Sequence, residues 1–155
     1  MRSLSMLIAV SLTLLVPTFA RAASHCSVSA NNYSFGNYDP MSSLPTNVTG
    51  TNLISVTCNG NGSSTITVDL STGSSGVYFP SRQMNSAFTT DVVNYNLYTD
   101  ASLTTVWGDG TGGTGNVVIP YAMGVSNFTV YGLIPAQQNI GAGSYADTIT
   151  VTVTF

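Results

Sequence analysis

The sequence ends in Thr148-Ile-Thr-Val-Thr-Val-Thr-Phe155, where polar and apolar residues alternate strictly. Successive side chains of a β-strand point to opposite faces, so this pattern predicts a half-buried strand. The apolar side chains that share its inner face are Ile149, Val151, Val153 and Phe155. The edge of such a strand is either covered by the protein itself or open to pairing with another chain. The function depends on which of these holds.

Short alternating segments of the same kind recur along the chain, separated by clusters of Gly, Pro, Asn and Ser. This pattern is typical of an all-β antiparallel sandwich. We predict six major strands, at residues 26–30, 51–58, 65–70, 92–98, 127–134 and 148–155. Shorter pieces are predicted at residues 33–35, 104–107 and 117–119. A seven-stranded immunoglobulin-like sandwich would need one more major strand.

The first residues have the features of an export signal. Arg2 supplies a positive charge, residues 6–16 are an apolar run, and Ala20-Arg-Ala22 fits the small-x-small rule for cleavage. The run is too short to cross a bilayer, which takes about 20 apolar residues. We predict a signal peptide at residues 1–22 and a single exported domain at residues 23–155.

Charged residues are scarce, at 6% of the chain compared with about 25% in an average soluble protein. The predicted mature chain keeps one cation, Arg82, and six aspartates, hence a net charge of −5. Phosphate binding requires clustered Lys and Arg, so the composition excludes nucleic acid as a partner.

The chain has two cysteines, Cys26 and Cys58. In an exported protein such a pair indicates a disulfide, and two free buried thiols are the alternative. A bridge that closes this loop stabilises the fold by about 3–4 kcal/mol in the chain-entropy model.

Several short sequence motifs resemble cofactor-binding, metal-binding or catalytic motifs. Residues 110–115 match the dinucleotide fingerprint G-x-G-x-x-G, but a strand-like segment ending in Pro120 follows where the motif requires a helix. Asp100 and Asp109 flank Trp107, yet they read better as turn residues than as calcium ligands. Nucleophilic catalysis needs a base beside the nucleophile, and the only histidine, His25, lies at the predicted mature N-terminus, where we expect the chain to be frayed. We predict no enzyme, no metal site and no cofactor.

Three aromatic residues are candidates for a surface-binding or sugar-stacking patch: Tyr78, Phe79 and Trp107. Packing inside the fold is the favoured interpretation, and it is least secure for Tyr78 and Phe79.

Taken together, several blocks resemble the spore coat protein U domain family, which includes subunits of archaic, Csu-type chaperone–usher pili. The blocks are Phe35-Gly-Asn-Tyr-Asp-Pro40, Tyr95-Asn-Leu-Tyr-Thr-Asp100, residues 106–115, residues 130–139 and Gly143-Ser-Tyr-Ala-Asp-Thr148. They follow the order and spacing of the family over nearly the whole predicted mature chain.

The resemblance implies an incomplete immunoglobulin-like sandwich that lacks its final strand. A periplasmic chaperone lends a strand to the resulting groove, and a neighbouring subunit replaces it at the outer-membrane usher. Ile149, Val151, Val153 and Phe155 would then border the strand-acceptor groove. The protein would pass through the periplasm to the cell surface as a structural or adhesive pilus subunit.

Polymerising members of the family carry a long alternating extension before the first cysteine, whereas few residues separate the predicted cleavage site from Cys26. We therefore expect a subunit that accepts a strand without donating one, and thus a terminal position in a fibre. The alternative is a self-contained secreted spore-coat or carbohydrate-binding sandwich, its missing strand supplied from residues 73–90. A hydrolase using paired aspartates is a third hypothesis, although no aspartate lies in a context that predicts pairing.

Overall fold

The computed structural model describes residues 25–60 and 65–155, and these ranges contain nine β-strands and one turn of 3-10 helix. The strands are β1 (His25–Ala30), β2 (Thr46–Asn59), β3 (Thr65–Leu70), β4 (Arg82–Ser86), β5 (Val92–Tyr98), β6 (Val117–Pro120), β7 (Gly124–Ile134), β8 (Tyr145–Ala146) and β9 (Val151–Thr154). The 3-10 turn is Gly73–Ser75. A search of the same ranges finds no helix with the length and apolar character needed to cross a membrane. The predicted signal peptide, residues 1–22, lies outside the described residues.

The strands form two antiparallel sheets. The larger sheet has six strands in the order β1-β2-β7-β5-β4-β8, and the smaller has three in the order β6-β3-β9. Alternate residues of β2, β3, β5 and β7 point between the sheets and form one core. Its buried members are Ile54, Val56, Cys58, Ile66, Val68, Leu70, Val93, Tyr95, Leu97, Trp107, Phe128, Val130 and Ile134. This architecture is the predicted all-β, immunoglobulin-like sandwich.

The predicted alternation agrees with the observed strands where apolar residues repeat without interruption. Two predicted strands, residues 65–70 and 92–98, have the observed bounds of β3 and β5. The strand predicted from residue 51 begins instead at Thr46 in β2. A register shift between Gly50 and Ile54, with Asn52 at a φ of 55°, breaks the alternation that would have revealed its first part.

Three other predicted segments differ from the observed strands, and one strand was missed. Residues 33–35 form no strand. The segment at residues 104–107 forms only isolated bridges, Tyr98 with Val106 and Trp107 with Gly115. The strand predicted at residues 148–155 is shorter, since β9 covers Val151–Thr154. The strand β4 was not predicted, because its inward positions include Arg82, which hides the apolar alternation.

The predicted disulfide is confirmed. Cys26 and Cys58 are direct register partners on β1 and β2, with their Cα atoms 4.1 Å apart. The bridge ties β1, which has only β2 as a neighbour among the described strands, to the centre of the larger sheet.

The interpretation of Trp107 as part of a surface-binding patch was wrong, and the packing interpretation is correct. The Trp107 side chain is 0% exposed, and its indole Nε1 donates a hydrogen bond of 2.9 Å to the Val68 carbonyl. Because burial of the large ring removes so much apolar surface from water, Trp107 stabilises the core instead of contacting a ligand.

Candidate functional site

A cleft of about 910 Å³ opens between two segments of the chain on the inner face of the larger sheet. One wall, here called the far wall, is residues 30–38. The other, the near wall, is residues 140–151, which lead into β9. The floor is apolar and comes from β2, β5 and β7 together with the end of β3: Ile54, Leu70, Val93, Tyr95, Leu97, Val130 and Ile134.

The near wall continues into β9, which has one free edge. β9 pairs with β3 along one edge, in the register Leu70 with Val151 through Thr67 with Thr154. Within residues 25–60 and 65–155, no strand pairs with its other edge. An unpaired strand edge presents backbone N–H and C=O groups that can pair with a further strand.

After Ala30, the last residue of β1, the far wall is extended but belongs to no sheet. Side chains hold it instead: the Tyr33 hydroxyl donates to the Val48 carbonyl at 2.5 Å, and the Tyr38 hydroxyl donates to the Pro135 carbonyl at 2.9 Å. The rings of Tyr33 and Phe35 lie against Gly132 of β7, where an added Cβ would come within 2.7 Å of the Phe35 ring. Burial raises the pKa of Tyr33 to about 12, so the hydroxyl stays protonated and keeps its hydrogen bond at neutral pH.

On the floor, Tyr95 connects the two walls. Its ring meets Phe35 of the far wall edge to face, with the ring centroids 5.6 Å apart. Its hydroxyl donates a hydrogen bond of 2.6 Å to the Asp147 carboxylate of the near wall. Burial, and after it the bond to Asp147, raises the pKa of Tyr95 far above its ordinary value.

A buried cation, Arg82, lies beside this arrangement and is 0% exposed. The guanidinium donates to the Ser71 carbonyl at 2.9 Å and to the Trp107 carbonyl at 2.6 Å. The ring of Tyr78 covers it, with the guanidinium carbon 5.0 Å from the ring centroid. Desolvation lowers the pKa of Arg82, yet an arginine has such a high ordinary pKa that it remains charged.

The four residues predicted to border the acceptor groove lie in different surroundings. Ile149 and Val151 line the cleft. Val153 packs against the core further along β9, and Phe155 is 45% exposed beyond the end of the strand. Their role in accepting a strand stays a prediction.

The far wall and most of the floor were missed in the groove prediction. Tyr33 and Phe35 had a usable signal, because the two aromatic residues are spaced for one face of an extended segment. The floor residues carried none, since strand alternation identifies buried positions without revealing which of them lie under an open cleft.

The other two candidate aromatic residues have different exposures. Tyr78 is half-buried, and its hydroxyl donates to the Leu70 carbonyl at 2.9 Å, so its ring is used in packing over Arg82. Phe79 is 47% exposed.

The aspartates that flank Trp107 act as turn residues. Asp100 accepts hydrogen bonds from the backbone of Thr104 and Thr105, and Asp109 accepts from Thr111. These bonds lower the pKa of both carboxyl groups, with Thr105 the largest contributor at Asp100 and Thr111 at Asp109. In the part of the chain that the structure describes, no group of three or more His, Cys, Asp or Glu side chains could hold a metal ion.

The sequence has clear relatives. Residues 11–152 match the Spore Coat Protein U domain. Protein U of Myxococcus xanthus is 35% identical over 128 residues, which cover 79% of this chain and 70% of that protein. The chain belongs to the Spore Coat Protein U domain family. The resemblance in the sequence motifs is thereby confirmed.

Solved structures include a chain with a similar fold. A chain of the CsuC–CsuE chaperone–tip adhesion subunit pre-assembly complex, from archaic chaperone–usher Csu pili of Acinetobacter baumannii, superimposes with a TM-score of 0.58 at 22% identity. The match covers 86% of this chain but 40% of that one, so the two share a fold over part of the larger chain. The minor tip subunit HdaB of the E. coli Hda pilus gives a TM-score of 0.37 at 13% identity, over 83% of this chain and 79% of that one. That score is too low to define a common fold.

Proposed function

We propose that this Spore Coat Protein U domain is a structural or adhesive subunit of a chaperone–usher surface fibre, and that its cleft accepts a strand from another polypeptide. The observation that carries the proposal is the open cleft with an apolar floor beside the free edge of β9. The family and the fold shared with a chain of the Csu complex support it.

The physical chemistry of the cleft suits an extended occupant. The edge of β9 can pair with the backbone of an added strand, and the apolar floor can receive every second side chain of it. Four apolar side chains buried at about 1.5–3 kcal/mol each would contribute about 6–12 kcal/mol before ordering costs. This is comparable to the stability of a whole domain, so the empty subunit should depend on its partner.

The proposal implies a set of partners and a route. A periplasmic pilus chaperone would fill the cleft during export, and a neighbouring pilus subunit would fill it after assembly at the outer-membrane usher. The protein would be found in the periplasm in transit and then at the cell surface. In this role the domain is structural and performs no catalysis.

The acceptor-only role, and with it a terminal position in the fibre, remains a further proposal. It depends on where the leader is removed, within residues 1–24 that the structure does not describe. Mass measurement of the exported protein would test cleavage after Ala22.

The function is tested by expressing the chain in a bacterial periplasm with and without the chaperone encoded beside its gene. We expect soluble protein, co-purifying with the chaperone, only when both are present, and loss of the complex when residues 151–155 are removed. The matched pair Ile149→Asp and Thr150→Asp distinguishes an effect on the cleft from a general effect of an added charge on this segment. Ile149 lines the cleft, whereas Thr150 is exposed outside it, so only the first substitution should prevent capture.

A second candidate is a self-contained secreted β-sandwich with a coat or carbohydrate-binding role, and the match to the Spore Coat Protein U domain favours the coat role. The strand β4 does lie within residues 73–90, but it pairs with β5 and β8 and leaves the second edge of β9 free. A mature chain that is soluble, monomeric and reversibly folded without any chaperone would support this candidate and contradict the first.

A further inference from the structure

The ladder between β3 and β9 becomes irregular one residue before β9 begins. The Ser71 N–H donates to the Thr150 carbonyl at 3.0 Å, as an antiparallel pair requires. The Thr150 N–H, however, donates to the Ser71 side-chain oxygen Oγ at 2.9 Å instead of to the Ser71 carbonyl. A hydroxyl thus replaces the backbone acceptor at this position.

The Ser71 carbonyl is instead a partner of Arg82. The Arg82 Nε donates to the Ser71 carbonyl at 2.9 Å, so this acceptor is directed to the buried guanidinium. Regular pairing between β3 and β9 stops at Val151. Thr150 keeps its two hydrogen bonds to Ser71, and residues 147–149 have to be held in another way.

Asp147 supplies that attachment. Its Oδ1 accepts hydrogen bonds of 2.8 Å from the N–H groups of Ser74 and Thr148, and its Oδ2 accepts the hydroxyl of Tyr95 at 2.6 Å. The 3-10 turn comes so close that an added Cβ at Gly73 would overlap the carboxylate. Asp147 therefore joins the near wall both to this turn and to the floor of the cleft.

The attachment opposes a strong tendency of the cleft to close. Ile149 and Val151 on the near wall face an apolar floor that includes Leu97 and Val130. Apolar surfaces separated by water are driven together by the hydrophobic effect. An empty apolar cleft stays open only if other bonds hold its walls apart.

We propose that Asp147, held by Tyr95 and Ser74, is a positioning residue that keeps the near wall of the cleft at the separation an incoming strand requires. This inference rests on the proposed function, since it concerns how the same cleft is kept ready for its occupant. Tyr95 contributes from both ends, because its hydroxyl fixes the near wall while its ring contacts Phe35 of the far wall. Without the attachment, residues 147–149 move onto the floor and the cleft closes.

The test compares Asp147→Ala, Asp147→Asn and Tyr95→Phe in the periplasmic co-expression with the chaperone encoded beside this gene. A hydrogen bond to a charged group corresponds to about a tenfold to hundredfold change in an equilibrium. We expect Asp147→Ala and Tyr95→Phe to lower the fraction of chain captured by about tenfold or more. Asp147→Asn should restore capture, because its amide can accept from Ser74 N–H and donate to the Tyr95 oxygen.

Two matched controls repeat the loss of a tyrosine hydroxyl or of an aspartate charge at positions away from the cleft. Tyr121→Phe removes a hydroxyl that donates to the Asn59 carbonyl at 2.9 Å. Asp100→Asn alters a carboxylate that accepts from Thr104 and Thr105 in a turn. Neither should change the captured fraction.

Backbone amide exchange provides a readout that does not depend on an occupant. In the Asp147→Ala and Tyr95→Phe proteins, the amides of Ser74 and Thr148 should exchange at least about tenfold faster, while those of β2 and β7 stay as in the parent. Uniformly faster exchange would mean a general loss of stability and would overturn the inference, as would failure of Asp147→Asn to restore the parent behaviour.

The two proposals fail in different ways. If the parent chain captures no chaperone, the proposed function is contradicted, and unchanged exchange at Ser74 and Thr148 in the variants would then overturn the inference as well. If the parent captures the chaperone and Asp147→Ala captures it equally well, the function stands and the inference is wrong.

Discussion

Individual residues show where sequence patterns are informative and where they are not. The alternation of Ile149 and Val151 predicted their inward direction correctly. The burial of Arg82 had no counterpart in the pattern, because a lone arginine in a chain with few charges reads as a surface residue. It is buried because carbonyl groups from separate segments, Ser71 and Trp107, converge on the guanidinium. Such convergence depends on the tertiary fold.

The buried guanidinium predicts a large effect of substitution. Arg82→Met keeps the apolar stem but leaves the Ser71 and Trp107 carbonyls without their donor, so we expect a loss of about 3 kcal/mol in the free energy of unfolding. Arg82→Lys keeps the charge but cannot satisfy both carbonyls, and about 2 kcal/mol should be lost. The urea midpoint of the oxidised protein measures both. The neighbouring substitution Gln83→Ala serves as control, and its free energy of unfolding should stay within about 0.5 kcal/mol of that of the parent. Equal urea midpoints for Arg82→Met and the parent would contradict the hydrogen bonds assigned to Arg82.

Secondary-structure elements could be predicted where local pattern and tertiary environment agree. The strands β3 and β5 have an uninterrupted apolar face and were predicted with correct bounds. The start of β9 could not be predicted, because its regular pairing ends beside Ser71, whose carbonyl accepts a hydrogen bond from Arg82 of β4. The strand β4 itself was missed because Arg82 occupies one of its inward positions. Long-range polar contacts set these limits, and a period-two pattern contains no information about them.

The two faces of β9 should differ in how much stability is lost when a charged residue is introduced. Val151 packs against the core and lines the cleft, so Val151→Asp places an unpaired carboxylate in an apolar environment and should cost about 3–5 kcal/mol. Thr154 lies on the exposed face of the same strand. Thr154→Asp should therefore remain within about 0.5 kcal/mol of the parent. Urea unfolding and soluble yield measure both proteins, and similar losses for the two would mean that β9 does not present the assigned faces.

At the scale of the whole molecule, one covalent bond connects stability with the cleft. The Cys26–Cys58 bridge, with a sequence separation of 32, closes a loop that contains the entire far wall, residues 30–38. The disulfide could be predicted from the sequence, because the chain is predicted to be exported and has two cysteines. The sequence could not predict that the enclosed segment would form one side of a cleft, because this segment is held by aromatic contacts to Gly132 and Tyr95 that are distant in sequence.

Removal of the bridge should lower stability and capture together. Cys26→Ser combined with Cys58→Ala frees the loop in the unfolded chain, and we expect a loss of about 3–4 kcal/mol in the free energy of unfolding. The captured fraction should also fall in the chaperone co-expression, because the loop that contains the far wall is then held by noncovalent contacts alone. Reduction of the parent protein should reproduce the stability loss, which shows that the bond and not the substituted side chains is responsible. Ser27→Ala with Thr57→Ala, the next register pair along the same two strands, is the control and should leave both measurements unchanged. Full capture by the bridge-free protein at reduced stability would mean that the aromatic contacts suffice to hold the far wall, and that the disulfide stabilises the fold without shaping the cleft.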